Sequence, residues 1–359
     1  MTLAFGSTIG ILGGGQLARM LAMAAAKLGF QTIIFDPDAN APARQVASDH
    51  VIANYTDEAA LAAFAARCDV VTYEFENVPV TAAKFMNALT PVRPGPQALE
   101  AAQDRLREKK FLNEAGIETA PFMAVNSAED LSAAIASFDG YGVLKTRRMG
   151  YDGKGQRVLK NTDPAKTNRI YAQFNSVPMI LEGFVAFERE ISVIAARGLN
   201  GEIAVFDPAE NAHREGILYT STVPSNASSE TMAQAHKAAQ AILEALEYVG
   251  VIGVEFFVMA NGGLIANEIA PRVHNSGHWT EAACAVSQFE QHIRAITGLP
   301  LGNPVRHSNC VMENLIGDEI GRMEVLCAES NVVLHHYGKL DVRAGRKMGH
   351  FTRLSKLTA

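Results

Sequence analysis

Gly253-Val254-Glu255-Phe256-Phe257-Val258-Met259-Ala260-Asn261-Gly262-Gly263-Leu264-Ile265-Ala266-Asn267-Glu268-Ile269-Ala270 reads as two apolar runs joined by a turn. β-Branched and aromatic residues favour strands over 253–259 and 264–270, and Asn-Gly between such runs is a strong hairpin signal. With Asn261-Gly262 as a two-residue turn, Ala260 faces Gly263, and counting outward sets Phe256 opposite Asn267 and Glu255 opposite Glu268. A four-residue loop over 260–263 gives the same pairing. Like charges directly opposed across strands destabilise a sheet, so a compensating group is implied. Magnesium is a natural one, because it prefers carboxylate oxygens, keeps several waters and shares its other positions with nucleotide phosphates. Asn267, beside the pair, supplies a further oxygen if the strand twists or ends there. An exposed edge hairpin with both glutamates on its wet face fits the spacing almost as well. The continuation Pro271-Arg272-Val273-His274-Asn275-Ser276-Gly277-His278-Trp279 favours the cation, since it packs cationic, amide and hydroxyl donors directly behind the carboxylates. Within it, His278 and Trp279 are expected to pack structurally.

Upstream, Val143-Leu144-Lys145 is a short apolar strand ending in a cation, and Gly150-Tyr151-Asp152-Gly153-Lys154-Gly155-Gln156 is a flexible loop leading into the strand Arg157-Val158-Leu159. Glycines let backbone N–H groups approach phosphate oxygens, and a strand-borne lysine fixes a charge beside them. Taken alone, such a loop is more commonly a plain hairpin turn. It is not a Walker loop, because no Gly-Lys-Ser/Thr opens a helix there. Near the amino terminus, a strand over 8–12, the turn Gly13-Gly14-Gly15, a helix over 16–28 closed by Gly29 and a strand over 31–35 ending at Asp36 form a βαβ unit of parallel-sheet type. Val70-Val71-Thr72-Tyr73 continues that sheet, with Glu74, Glu76 and Asn77 at the carboxyl end where open sheets place ligand clefts. Pro91-Val92-Arg93-Pro94-Gly95-Pro96 marks a domain boundary, followed by a charged helix over about 98–115.

The chain has 359 residues, 48% hydrophobic and 19% charged, enough for two or three domains with cores of their own. A net charge of −6 excludes a surface built broadly for nucleic acid. Cys68, Cys284, Cys310 and Cys327 form no CxxC pair, so they read as core thiols in a reducing compartment. No Lys or Arg precedes Gly13 and glycines interrupt the first apolar run, so no signal peptide or membrane span is expected, and cytoplasm is the default. From 335 to 356 the chain carries His335, His336, Lys339, Arg343, Arg346, Lys347, His350, Arg353 and Lys356 against one acid, Asp341. That asymmetry in an acidic chain points to an anionic ligand, and the interleaved Tyr337, Leu340, Met348 and Phe351 point to packed strands rather than a solvated tail.

Taken in order, Lys145, the 150–156 loop, Glu182-Gly183-Phe184-Val185, Glu190 and Glu255 with Asn267-Glu268 resemble the ATP-grasp pattern. Gly13-Gly14-Gly15-Gln16-Leu17, Tyr151-Asp152-Gly153-Lys154-Gly155-Gln156, 270–279 and Gly345-Arg346-Lys347-Met348-Gly349-His350 resemble, within it, the 5-(carboxyamino)imidazole ribonucleotide synthetase family of purine biosynthesis. The resemblance implies an α/β chain, α+β in the grasp region: an ATP-grasp fold behind an N-terminal Rossmann-like parallel-sheet domain. The domains would span 1–97, 98–300 with a mobile lid over about 120–185, and 301–359 as a small terminal domain completing the substrate site. The implied reaction phosphorylates bicarbonate with ATP, and the carboxyphosphate releases carbon dioxide to the exocyclic amine of 5-aminoimidazole ribonucleotide. Arg105, Lys145 and Gly150, Tyr151, Asp152, Gly153, Lys154, Gly155 and Gln156 would hold ATP phosphates. Glu182, Gly183, Phe184 and Val185 would line the adenine pocket, Glu190 would hold the ribose, and His213 would contact the nucleotide. Glu255 and Glu268 would ligate magnesium beside Asn267. Arg272, His274 and Asn275 would hold bicarbonate and carboxyphosphate, with Tyr151 and Asp152 reaching the imidazole. Gln16, Arg272, Ser276, Lys339, Arg346 and Lys347 would bind the ribonucleotide. The resemblance also implies a homodimer.

Rival readings stand beside it. Gly13, Gly15, Ala18 and Asp36 satisfy the fingerprint of an NAD-dependent oxidoreductase, but leave Lys145, the second glycine loop and the glutamate pair unexplained. Another ATP-grasp ligase, such as a biotin-dependent carboxylase or a peptide ligase, shares the nucleotide site and differs around Arg272 and in the basic terminus. A non-catalytic nucleotide-binding regulator would have lost the magnesium ligands.

Overall fold

The computed structural model describes residues 1–150, 155–163 and 167–357, whose strands form three sheets. The first unit runs β1 (Thr8–Leu12), α1 (Gln16–Lys27), β2 (Gln31–Phe35), β3 (Asp49–Val51), α2 (Glu58–Ala65), β4 (Val70–Tyr73) and α3 (Val80–Asn87), with parallel sheet order β3-β2-β1-β4. β1 and β2 are buried beyond their first residues instead of alternating, as strands covered on both faces must be. The charged helix expected over 98–115 is two helices, α4 (Pro96–Ala102) and α5 (Arg105–Glu114). Asp104 caps the second by accepting from Leu106 N at 3.1 Å and Arg107 N at 3.4 Å, and Gln103 turns back to donate to the Glu76 and Val78 carbonyls at 2.8 and 2.6 Å.

β5 (Phe122–Val125), α6 (Ala128–Ser137), β6 (Gly142–Thr146), β7 (Gln156–Leu159), α7 (Thr167–Gln173) and β8 (Met179–Glu182) build an antiparallel sheet of order β5-β8-β6-β7. Its core, with Val125, Leu131, Ile135, Leu144 and Leu181, is separate from the others.

The remaining strands and α-helices are β9 (Arg189–Arg197), β10 (Ile203–Val205), β11 (Ala209–Arg214), β12 (Ile217–Val223), α8 (Ser229–Ala245), β13 (Gly250–Val258), β14 (Leu264–Ala270), α9 (Thr280–Ala283), α10 (Gln288–Thr297), β15 (Asn309–Ile316), α11 (Met323–Leu326), β16 (Val332–His336) and β17 (Lys347–Ser355). They form one sheet of order β14-β13-β9-β11-β12-β15-β17-β16, with β10 on β9. The terminal strands therefore extend the central sheet through β12 and β15, where Thr220 faces Glu313. On one sheet face, Ile252, Val254 and Phe256 pack against Ala239, Ile242 and Leu243 of α8. On the other, α10 meets α1 in a core containing Leu21, Trp279, Phe289 and Ile293, each such large buried side chain contributing about 1.5–3 kcal/mol. No described helix is long and apolar enough to cross a membrane.

His292 ties these units together. Val251 N of β13 donates to Nδ1 at 3.1 Å, which leaves Nε2–H for Thr72 Oγ1 of β4 at 2.8 Å. Burial holds the ring down to about 3. At neutral pH both folded and unfolded forms carry it uncharged; below about pH 6.5 the unfolded chain takes up a proton that the folded one refuses. Stability is thus expected to fall as pH drops from about 6.5 toward 3. His292→Leu should remove this share of the slope in urea titrations, and cost about 1–3 kcal/mol at pH 7 for each partner left unpaired.

Candidate active site

β13 and β14 set Glu255 opposite Glu268, though by a different route from the turn count. The loop is longer than two residues: Met259 N donates to Gly263 O at 2.9 Å and Gly262 N to Met259 O at 2.8 Å. Val258 consequently faces Leu264, and Phe256 faces Ala266 rather than Asn267. A bulge at Asn267 restores the register before Glu268. The extra residue lets Asn267 line the same cleft as Glu255 and Glu268, and its Oδ1 is buried without a hydrogen-bond partner.

Burial and the facing Glu268 push Glu255 upward, with His274 Nε2 3.6 Å from its carboxylate. Burial also opposes ionisation of Glu268, but the charges of Arg105 and Lys145 and the Arg105 hydrogen bond, at 3.2 Å, hold it down. Two acids so close do not both ionise comfortably without a cation. Two carboxylates and a partnerless amide oxygen are a donor set that suits a hard divalent ion.

The cleft around them has a volume of about 1010 Å³ and is walled by all three units. From the smaller sheet come Lys145, Gly150 and Gln156, and the loop Gly183, Phe184 and Val185 after β8. Glu182 ends β8 and binds Lys145 Nζ at 3.0 Å and Lys109 Nζ at 3.4 Å; these charges hold it ionised against its burial. Arg105 Nη2 donates to Gly150 O at 3.1 Å, and Arg147 clasps Asp104 with two bonds of 2.9 and 2.7 Å, joining β6 to the start of α5. On the central sheet Glu190 lies opposite Phe257 and pairs with His213 Nδ1 at 3.4 Å. Phe257 stacks on Phe187 at 4.4 Å, giving the cleft a flat apolar face next to the 182–185 segment.

Arg272, His274 and Asn275 also line the cleft. Arg272 pairs with Glu76; burial opposes Glu76 ionisation, but the guanidinium brings it to about 2. Asn275 and Asn314 exchange reciprocal amide bonds of 3.0 and 2.8 Å, and Asn314 also donates to Leu218 O at 3.0 Å. His274 is held neutral, near 3, by burial and the charge of Arg272. Ser276 does not reach the cleft as expected: it is fully buried, its hydroxyl 2.8 Å from His274 Nδ1. Its hydroxyl is thereby placed to orient the imidazole. His278 and Trp279 are fully buried packing residues. Lys339, Arg346 and Lys347 also line the cleft, Lys347 within electrostatic reach of Glu255 and His274, and Gln16 of α1 lines it with Glu74 and Glu76. Tyr151, Asp152, Gly153 and Lys154 fall outside the described residues. Gly155 is a turn residue with φ +72°, its carbonyl accepting from Thr146 N at 2.8 Å, and it does not line the cleft.

The Rossmann-like turn is already filled. Glu74 places its carboxylate on the amino end of α1, accepting from Gly15 N at 2.9 Å and Ala18 N at 3.2 Å, where a dinucleotide pyrophosphate would have to sit. Asp36 accepts from Gly14 N at 2.7 Å and is also committed. The pattern reading missed the roles of Glu74, Asn314, the Asp104–Arg147 clasp and the buried pair Glu108 and Lys109. Only Asp104 carried a local signal, as a helix-capping acid before Arg105.

Three domain families match in succession: the ribonucleotide synthetase preATP-grasp domain over 6–103, the ATP-grasp domain over 110–289, and the phosphoribosylaminoimidazole carboxylase C-terminal domain over 310–358. The chain is 60% identical over 353 residues to N5-carboxyaminoimidazole ribonucleotide synthase of Brucella melitensis biotype 1, covering 98% of each. It superposes with TM-score 0.94 and 42% identity on an ADP complex of N5-carboxyaminoimidazole ribonucleotide synthetase, covering 99% of this chain and 94% of the other. It also resembles the N5-carboxyaminoimidazole synthase of Aspergillus clavatus in complex with ADP and 5-aminoimidazole ribonucleotide, with TM-score 0.91, 28% identity and coverage of 98% and 94%.

With Glu74 on α1, NAD should leave the melting temperature of the protein unchanged. Glu74→Ala should lower stability by about 1–3 kcal/mol through the exposed N–H groups, and inorganic pyrophosphate should raise the melting temperature of that variant by more than it raises that of the wild type.

Proposed function

The chain belongs to the N5-carboxyaminoimidazole ribonucleotide synthase family, and from that membership we propose that it carboxylates 5-aminoimidazole ribonucleotide. ATP and bicarbonate are consumed, and N5-carboxyaminoimidazole ribonucleotide, ADP and phosphate are formed, a step of purine biosynthesis. The observation that carries the proposal is the Glu255–Glu268 pair with the bulged Asn267, sharing one cleft with Arg272, His274 and Asn275. Homodimer assembly is carried over from the family resemblance alone, and a cytoplasmic setting is the expectation read from the sequence.

Glu255, Glu268 and Asn267 would hold magnesium, which when bound neutralises phosphate charge on the nucleotide. Arg105 and Lys145 present cations to the same phosphates, and Phe257 with the 182–185 segment offers a flat apolar seat for adenine. A bicarbonate oxygen attacks the γ-phosphorus as the bond to ADP breaks. The resulting carboxyphosphate loses phosphate to give carbon dioxide, and the substrate amine forms the new C–N bond and releases a proton. Arg272 suits a planar oxyanion through paired donors. Its contact with Glu76 fixes the side chain before the ligand arrives. His274 acts as a neutral donor: Nδ1 faces Ser276 N at 3.4 Å, so Nε2 carries the hydrogen. Lys339, Arg346 and Lys347 form the seat for the ribose phosphate, with Gln16 at the opposite edge. Because the sheet over 122–182 packs its own core, it is read as a lid that closes over the nucleotide and excludes water from the acyl phosphate.

ATP consumption should require both bicarbonate and 5-aminoimidazole ribonucleotide in a coupled ADP assay; turnover with neither would show the substrate assignment to be wrong. Glu268→Gln should lower kcat/KM by roughly 100-fold or more, since a direct cation ligand exceeds the 10–100-fold cost of an outer partner.

A further inference from the structure

Two consecutive ionisable residues on α5, Glu108 and Lys109, are only 2% and 1% exposed; burial and the nearby Glu268 push the Glu108 carboxyl upward, and Lys109 faces Glu182. Charged side chains are almost never so buried unless they are paired. Both reach the backbone of β14, the edge strand of the central sheet. Lys109 Nζ donates to Asn267 O at 2.8 Å and Ala266 O at 3.4 Å, while Glu108 Oε1 accepts from Ile269 N at 2.7 Å. These backbone groups bracket the bulge on both sides. An edge strand can be covered without charges, by water or an apolar loop, and β14 already has such cover where Ala266 N donates to Glu118 O at 2.8 Å. What the two side chains add is register: a bulge leaves ladder groups unmatched, and gripping the carbonyls of 266 and 267 and the amide of 269 fixes which residue is the extra one.

The register matters because one residue of slip turns every side chain to the other face. Without the bulge Asn267 would alternate away from Glu268; with it, all three oxygen donors line one cleft. Lys109 also lies 3.4 Å from Glu182, where the smaller sheet meets the bulge. We propose that Glu108 and Lys109 are positioning residues for the divalent cation, holding the β14 bulge so that Asn267 and Glu268 address the same ion. This rests on reading Glu255, Asn267 and Glu268 as the cation ligands.

The test measures ADP affinity by calorimetry in excess magnesium and in EDTA, and takes the ratio as the gain due to the metal. Glu108→Met should shrink that gain by roughly 10-fold or more, as loss of outer partners does, with affinity in EDTA within about threefold of wild type; Lys109→Met should shrink the gain likewise, on top of a loss in EDTA through its contact with Glu182. Glu108→Gln keeps an acceptor for Ile269 N and should retain the gain. Deuterium exchange should speed at the Ile269 amide in Glu108→Met and not in Glu108→Gln. A merely structural role would lower both affinities together, or only the melting temperature, and leave the ratio unchanged; that result overturns the proposal. Should Lys109→Met fail to fold, Glu108→Met against Glu108→Gln decides the matter. A wild-type protein whose ADP affinity ignores magnesium would bring down the cation reading and this inference with it. A magnesium-dependent wild type with unaltered variants refutes the inference alone.

Discussion

Two carboxylates held face to face across a pair of strands set the terms for the rest of this molecule. In bulk solvent the repulsion between Glu255 and Glu268 would be modest, but at the floor of a cleft walled by protein it has to be met by charge. Part of the answer is built in: Arg105 reaches Glu268, and His274 stands beside Glu255 without a charge of its own. The remainder is left to a ligand. The orphaned Asn267 oxygen is consistent with that, because a buried carbonyl without a partner is costly unless something arrives to use it.

The other units are arranged around that floor. α1 and α10 share one apolar core, so the parallel sheet and the central sheet act as a single wall, with His292 hydrogen-bonded to both. The sheet over 122–182 has its own core, and the described contacts between it and the wall include polar ones at its ends: the Asp104–Arg147 clasp, Arg105 on Gly150, and Glu182 with Lys109. Polar clasps over a separate core suit a body that changes position when charge on the nucleotide is gained or lost. A reactive acyl phosphate needs such a closure more than a stable substrate does.

The fold was largely legible in the chain because its signals are local. The βαβ start, the β13–β14 hairpin and the strand ending in Lys145 come from runs whose periodicity and turn residues decide their conformation over a few positions. The split between α4 and α5 was missed because helix-forming residues continue through 98–115 and only the Asp104 cap interrupts them. Arg272, His274 and Asn275, which all line the cleft, lie on one short segment. Ser276 sits in the same segment, yet a 3-10 turn rotates it into the interior.

By itself the sequence determined that a hairpin carries Glu255 and Glu268, that a cationic and amide-rich segment follows them, and that a basic stretch gathers near the terminus; that the two acids face one another was counted correctly only because the longer turn and the bulge at Asn267 offset each other. Each of these rests on residues close together in the chain. Only the tertiary structure decided what partners those groups find. That Glu74 fills the amino end of α1, that Asn314 pairs with Asn275, and that Glu108 and Lys109 grip the bulge are contacts across 39 to 161 positions for the bonded pairs. Separations of that length leave no periodic trace, because burial of a charge depends on what packs against it rather than on its neighbours in sequence.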